Sequence, residues 1–177
     1  LSTGMSDMNE VKNALDILVN SGTKKSNITV LHANTEYPTP MEDVNLKAMV
    51  KIGKELDINF GYSDHTSGIE VDIAAVALGA CVIEKHFTLD KKMKGWDHKI
   101  SADLNDLTQI IENSKRITSM LGSKKRNISK KDNIFKKNMR RSIVAKKLIL
   151  KDQKIKISDL EFKRPGIGLE PSKLKFV

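Results

Sequence analysis

The sequence predicts an α/β fold: part of a β/α barrel followed by a small β-rich module. Three observations predict it. Over the first 122 residues the chain alternates helix, strand, helix, strand, helix, strand, helix, in units of roughly 25–30 residues, which argues for parallel strands joined by crossover helices. Each strand pattern carries a polar side toward its C-terminal end and a mainly apolar side. A barrel needs this when helices cover its outside and a site opens at its C-terminal mouth. Finally, no G-x-G-x-x-G or P-loop lysine occurs, so a doubly wound nucleotide-binding sheet has no positive support.

The elements follow in order. Residues 8–19 place Met8, Val11, Ala14, Leu15, Leu18 and Val19 at helical spacing, with Ser6 or Asp7 as N-cap and Gly22 as the stop. Residues 28–33 read as a short β-branched strand, and 34–43 as a loop containing Pro38 and Pro40. Residues 45–56 form a helix with Leu46, Met49, Val50, Ile52 and Gly53 on one face. A strand at 58–62, a small-residue helix at 68–78 and a strand at 81–87 come next, then a helix at 104–121 stopped by Gly122. Alternation along the strands puts Val30, His32 and Asn34 on the site side, with Gly61, Ser63 and His65, and with Val82, Glu84 and His86. Leu31, Ala33, Phe60, Tyr62, Ile83 and Phe87 fall on the other side, where Lys85 breaks the apolar pattern.

The charge is uneven. Residues 1–123 carry 13 Lys/Arg against 17 Asp/Glu, whereas residues 124–177 carry 18 against 5. This break divides the chain into a first domain at 1–122, a basic linker or extended arm at 123–139 and a module at 140–177. The module holds four short apolar segments, at 142–145, 148–150, 155–157 and 160–162, with Arg164-Pro165-Gly166 after them. About 40 residues make a small independent core, so the module is expected to lean on the first domain or on a second subunit. The basic tail has only Phe135, Phe162 and Phe176 to stack on bases. It therefore reads as a solvated lysine-rich surface rather than a nucleic-acid site. A single cysteine, Cys81, excludes a disulfide framework and suits a reducing, cytoplasmic setting. No stretch is long and apolar enough for a membrane span, and no signal peptide pattern opens the chain. Leu1 is not a start methionine, and residues 1–4 read as a strand end running into a turn, so a longer chain is expected upstream.

The chemistry concentrates between Gly61 and Ser101, which contains Asp64-His65, Glu84-Lys85-His86 and Asp97-His98. His65 and His86 fall one strand–helix–strand step apart. At matching heights on strands about 4.8 Å apart, two imidazoles can share one divalent ion. Two protein ligands leave positions for water or substrate oxygens, as a catalytic ion such as Mn2+ or Mg2+ requires. Glu84, read as inward, needs a partner if buried. Tyr37 lies just past a strand end, where a phenol can donate to a bound anion. Asp97 sits in a loop that can offer a carboxylate to sugar hydroxyls. His98 in the same loop is either solvent-exposed or a substrate contact. His32 reads as a hydrogen-bonded structural histidine.

Taken together, STGM at 2–5, LHANTEYPTPMEDVNLKAM at 31–49, GYSDHTSGIEVDIAAVALGACVIEKHFTLD at 61–90, GWDHKIS at 95–101 and SIVAKKLILKDQKI…LEFKRPGIGLEP near the end resemble the N-acetylneuraminate (sialic acid) synthase family. The resemblance implies the C-terminal portion of a (β/α)8 TIM barrel followed by a truncated antifreeze-like (SAF) domain. It implies condensation of phosphoenolpyruvate with N-acetylmannosamine or a related 2-acetamido sugar, giving a nonulosonic acid and phosphate. It implies Mn2+, with Mg2+ or Co2+ as alternatives, on His65 and His86. Phosphoenolpyruvate contacts fall on Ser2, Ser63 and Tyr37, and an asparagine used by some members is Thr35 here, beside Asn34. Asp97 matches the sugar-binding aspartate and Glu84 a glutamate with acid–base chemistry. Arg164 matches an arginine lent to the sugar site across a domain-swapped homodimer. The family's early-strand catalytic glutamate and phosphate-binding lysines would precede Leu1, so this piece alone is expected to be inactive. The runners-up are a pseudaminic or legionaminic acid synthase with the same chemistry, and a non-catalytic sugar-binding or assembly module.

Overall fold

A computed structural model describes residues 1–166 and 168–176, in two compact units, Leu1–Gly122 and Ser123–Val177. In the first unit, helix α1 (Met8–Asn20) is opened by Asp7, whose side chain accepts from the backbone of Asn9 and Glu10 while Glu10 reaches back. This reciprocal cap satisfies donors that a helix start otherwise leaves unpaired. Strand β1 (Thr29–Ala33), helix α2 (Leu46–Leu56), strand β2 (Asn59–Asp64), helix α3 (Glu70–Ala77), strand β3 (Ile83–Lys85) and helix α4 (Leu104–Leu121) follow.

The three strands are parallel and adjacent in chain order, β1-β2-β3. Ser2 adds a parallel bridge to Leu31 at one edge, and Phe87 pairs with Ala102 near the other. Each neighbour therefore follows its predecessor through one helical crossover, and the sheet does not reverse direction. The apolar stripes of α1 and α2 close over β1, burying Val11, Leu15, Val30, Ile52 and Leu56 together. Met49, Tyr62, Val71 and Ala75 form a second cluster under α2 and α3. At 25–30 cal/mol per Å2 of apolar surface, burial of this kind is the main term holding the layer.

One expected face is wrong. Val30 and His32 lie on the helix side of β1, because Val30 pairs with Phe60 and His32 with Tyr62 in register. Leu31 and Ala33 instead share the site side with Gly61 and Ser63. A parallel strand is covered on both faces, so its polarity pattern does not reveal which face is which. His32 places Nε2 3.0 Å from the carbonyl of Val44, the structural role expected of it. Strand β3 is shorter than the 81–87 stretch expected, although Cys81 N still donates to Phe60 O and Tyr62 N to Val82 O.

In the second unit, the stretch expected as a linker or extended arm contains helix α5 (Lys130–Met139), capped by the Ser129 hydroxyl accepting from Asp132 N. Strands β4 (Ser142–Ala145) and β5 (Leu160–Lys163) pair antiparallel. The segments at 148–150 and 155–157 are not strands; Leu148, Leu150 and Ile157 are exposed. Ile143 and the ion-paired Asp159 are buried beside this ribbon, with Lys147 Nζ 2.7 Å from Asp159.

Candidate functional site

The C-terminal ends of β2 and β3 bring His65 and His86 together, with ring centroids 5.3 Å apart and planes tilted by 51°. Both follow directly on the in-register pair Asp64 and Lys85, so their closeness is a product of strand register. His65 is 9% exposed. Its Nδ1 lies 2.6 Å from the backbone carbonyl of Asn34, which can only accept. That contact places the ring proton on Nδ1 and leaves the lone pair on Nε2, the arrangement of a metal-ligating histidine. The Tyr37 hydroxyl, 2.9 Å from Nε2, must then donate to it. The residues thus fit a cation held by two imidazoles. Among the described residues no group of three or more His, Cys, Asp or Glu could hold an ion, so most of its coordination would come from water or substrate.

Tyr37 stacks on His65 with centroids 4.1 Å apart and meets His86 edge-on at 5.6 Å. Its pKa is raised, by desolvation first and then by the nearby charges of Asp97 and Glu84. Those two carboxylates therefore belong to the same neighbourhood. Glu84 is exposed in this chain rather than buried, and it accepts from Ser63 Oγ at 2.7 Å. Ser63 is 2% exposed and lies directly opposite Glu84 in the sheet register.

The loop carrying Asp97 is pinned from within. The Asp97 carbonyl accepts from the backbone of Ile100 and Ser101 and from Ser101 Oγ. His98 Nδ1 lies 2.7 Å from Thr88 Oγ1, which makes it half-buried loop structure rather than a free group. Gly95 adopts φ +146° and lies so close to His98 that a Cβ there would fall 2.8 Å from the ring. Asp97 and the 95% exposed Trp96 remain at the surface.

Ser2 bridges to Leu31 and so sits at the edge of the sheet, on the row of Leu31 and Gly61, below that of Ser63. Thr35 is exposed and follows Asn34, whose carbonyl orients His65. Arg164 is exposed and follows β5 in the second unit. Sequence reasoning left Lys85 unexplained. It is buried on the helix side, paired with Asp64 and 3.7 Å from Asp72 of α3. Asp64, Asp72 and Lys85 stand on or at three consecutive elements, β2, α3 and β3, and the fold turns them toward one another. No helix among the described residues is long and apolar enough to cross a membrane.

The NeuB family model matches residues 1–126. The chain is 46% identical over 169 residues to the N,N'-diacetyllegionaminic acid synthase of Campylobacter jejuni, covering 96% of this chain and 51% of that protein. It is 35% identical over 147 residues to the N-acetylneuraminate-9-phosphate synthase of Homo sapiens, covering 82% of this chain and 40% of that one. Its fold matches the crystal structure of the N-acetylneuraminic acid (sialic acid) synthetase of Leptospira borgpetersenii, in complex with citrate, with a TM-score of 0.69 at 34% identity, over 76% of this chain and 46% of that one. The chain spans about half the length of the curated relatives it matches first.

Proposed function

This chain belongs to the NeuB family, and from that premise we propose that the full-length protein joins phosphoenolpyruvate to a 2-acetamido sugar, releasing phosphate and a nonulosonic acid. The observation that carries the reading is the pair of facing imidazoles on neighbouring strand ends, with the His65 tautomer set by Asn34. In-order parallel strands support the C-terminal portion of a TIM barrel as the architecture of the first unit. The second unit is proposed as the antifreeze-like domain.

A divalent cation on His65 and His86, Mn2+ first with Mg2+ or Co2+ as alternatives, supplies Lewis acidity to the carbonyl oxygen of the acceptor sugar when bound. The enol carbon of phosphoenolpyruvate forms a bond to that carbonyl carbon. Water then adds to the resulting oxocarbenium carbon, and the carbon–oxygen bond to phosphate breaks. Ser2 and Thr35 offer hydroxyl donors for the anionic substrate; Tyr37 and Ser63, whose protons go to His65 and Glu84 here, join them by turning to the substrate when it binds. Glu84, fixed by Ser63, holds a carboxylate two residues from His86, where it can take up or return a proton. Asp97 accepts from acceptor hydroxyls. Arg164, exposed, serves the site of a partner subunit in a homodimer, where its planar donor fork suits sugar oxygens.

The acceptor is N-acetylmannosamine or a related sugar. Similarity to N,N'-diacetyllegionaminic acid synthases at 46% and 38% identity favours an acceptor with two acetamido groups. The test is phosphate release by the full-length protein with phosphoenolpyruvate, Mn2+ and a panel of mono- and diacetamido sugars. Sugar-dependent release that disappears in His65→Ala and His86→Ala supports the reading. No release with any sugar, or full activity in both variants, overturns it.

A further inference from the structure

We propose that Lys85 is the positioning residue that sets the His65–His86 pair, acting from the opposite side of the sheet. The inference rests on the cation-site reading above and assigns the pair its support. Lys85 precedes His86, and its side chain is 5% exposed. Its ammonium makes two bonds that bracket the other histidine: one to the Asp64 carboxylate, the residue before His65, and one to the Thr66 carbonyl, the residue after it, at 3.0 Å. Asp64 closes the bracket, because its Oδ1 accepts from Thr66 N at 2.8 Å. The backbone around His65 is thus held on both sides by a group anchored to the strand that carries His86. Asp64 and Thr66 are 1% and 0% exposed. Asp72 of α3 lies 3.7 Å from the same ammonium and packs the helix against the cluster without a hydrogen bond to it.

Asp64 and Lys85 are paired on the face of the sheet opposite Ser63 and Glu84, so the cluster acts on the histidines through the backbone. Its chemistry is costly for mere packing. A buried ion pair seldom stabilises more than an apolar replacement of the same shape, whereas it fixes geometry through directed bonds. Two imidazoles that share one ion must keep their nitrogens within tenths of an ångström of ideal separation. A salt bridge across the two strand ends supplies that constraint.

The experiment is Mn2+ titration of the full-length protein by calorimetry without substrates, with thermal unfolding measured in parallel. Lys85→Met leaves the buried Asp64 carboxylate without its cation and can fail to fold. The decisive variant is therefore the double substitution Asp64→Asn with Lys85→Met, which removes both charges and keeps an acceptor for Thr66 N. The expected result is a folded protein whose Mn2+ affinity falls about tenfold to a hundredfold, the usual cost of losing the support behind a metal ligand. A folded double variant with wild-type Mn2+ affinity overturns the proposal, whatever its melting temperature. If the wild type itself shows no Mn2+ binding that depends on His65 and His86, the cation reading fails and this inference with it.

Discussion

The Tyr37 hydroxyl donates to His65 Nε2 at 2.9 Å, and the rings stack with centroids 4.1 Å apart. Nδ1 of the same ring is engaged by the Asn34 carbonyl, so Nε2 holds the one lone pair that His65 can offer. A phenol proton and a cation cannot occupy that lone pair together. Tyr37→Phe keeps the stack and removes the competitor. The variant should bind Mn2+ about twofold to tenfold more tightly in the full-length protein, the equilibrium value of one ordinary hydrogen bond. Calorimetric titration checks it; unchanged or weaker binding would show that the phenol does not compete for this nitrogen.

Much of this site was legible in the sequence because strand alternation and one-step spacing are enough to bring His65 and His86 to matching strand ends. The helices were equally legible, since the stripes of α1 and α2, the cap at Asp7 and the stops at Gly22 and Gly122 are local signals. What failed was the face of β1. His32 and Asn34 look like site residues by polarity, yet register with Tyr62 turns His32 toward the helices. Register is a property of pairing and leaves no mark within one strand. The Lys85 cluster was hidden for a related reason. A buried lysine reads as an error in an apolar pattern until Asp64 and Asp72 are known to face it. In the second unit, four apolar segments looked alike, but only 142–145 and 160–163 found partners.

Asp97 should govern the sugar. Its backbone is tied down by Ile100 and Ser101 while the residue stays exposed, its charge helping to raise the Tyr37 pKa. A charged hydrogen bond to a hydroxyl contributes roughly 1.5–3 kcal/mol. Asp97→Ala should therefore raise the sugar KM by about tenfold to a hundredfold, with a much smaller change for phosphoenolpyruvate. Initial-rate kinetics on both substrates separates the cases. Equal losses for both would remove Asp97 from the sugar pocket.

Gly61 marks where the sheet admits no side chain. A Cβ there would fall 2.2 Å from the Val82 carbonyl and 2.7 Å from Leu31 Cδ2. The carbonyl belongs to the pairing between β2 and β3, so the backbone itself must yield. Gly61→Ala should destabilise the fold by about 1–3 kcal/mol, the usual range for overpacking. Chemical denaturation of the full-length protein measures this, and a variant as stable as wild type would show that the strands can separate locally without cost.

Asp72 carries a pH dependence with a definite sign. Its carboxyl is fully buried, and neither oxygen has a hydrogen-bond partner among the described residues. Burial, and then the charge of Asp64, push its pKa up to about 8, while Lys85 pulls the other way. In the unfolded chain the group titrates near 4, as carboxylates ordinarily do. Between those values the folded protein keeps a proton that the unfolded chain has released. Raising the pH through that window therefore removes stability, and the slope ends once both states are ionised. Below about pH 4 both states are protonated, and the group contributes no slope. Asp72→Asn mimics the protonated acid at every pH and leaves Lys85 paired with Asp64. The variant should match wild type in urea unfolding near pH 4 and exceed it near pH 9. An identical fall in both proteins over that range would mean that Asp72 is already ionised in the fold at neutral pH, with Lys85 outweighing burial.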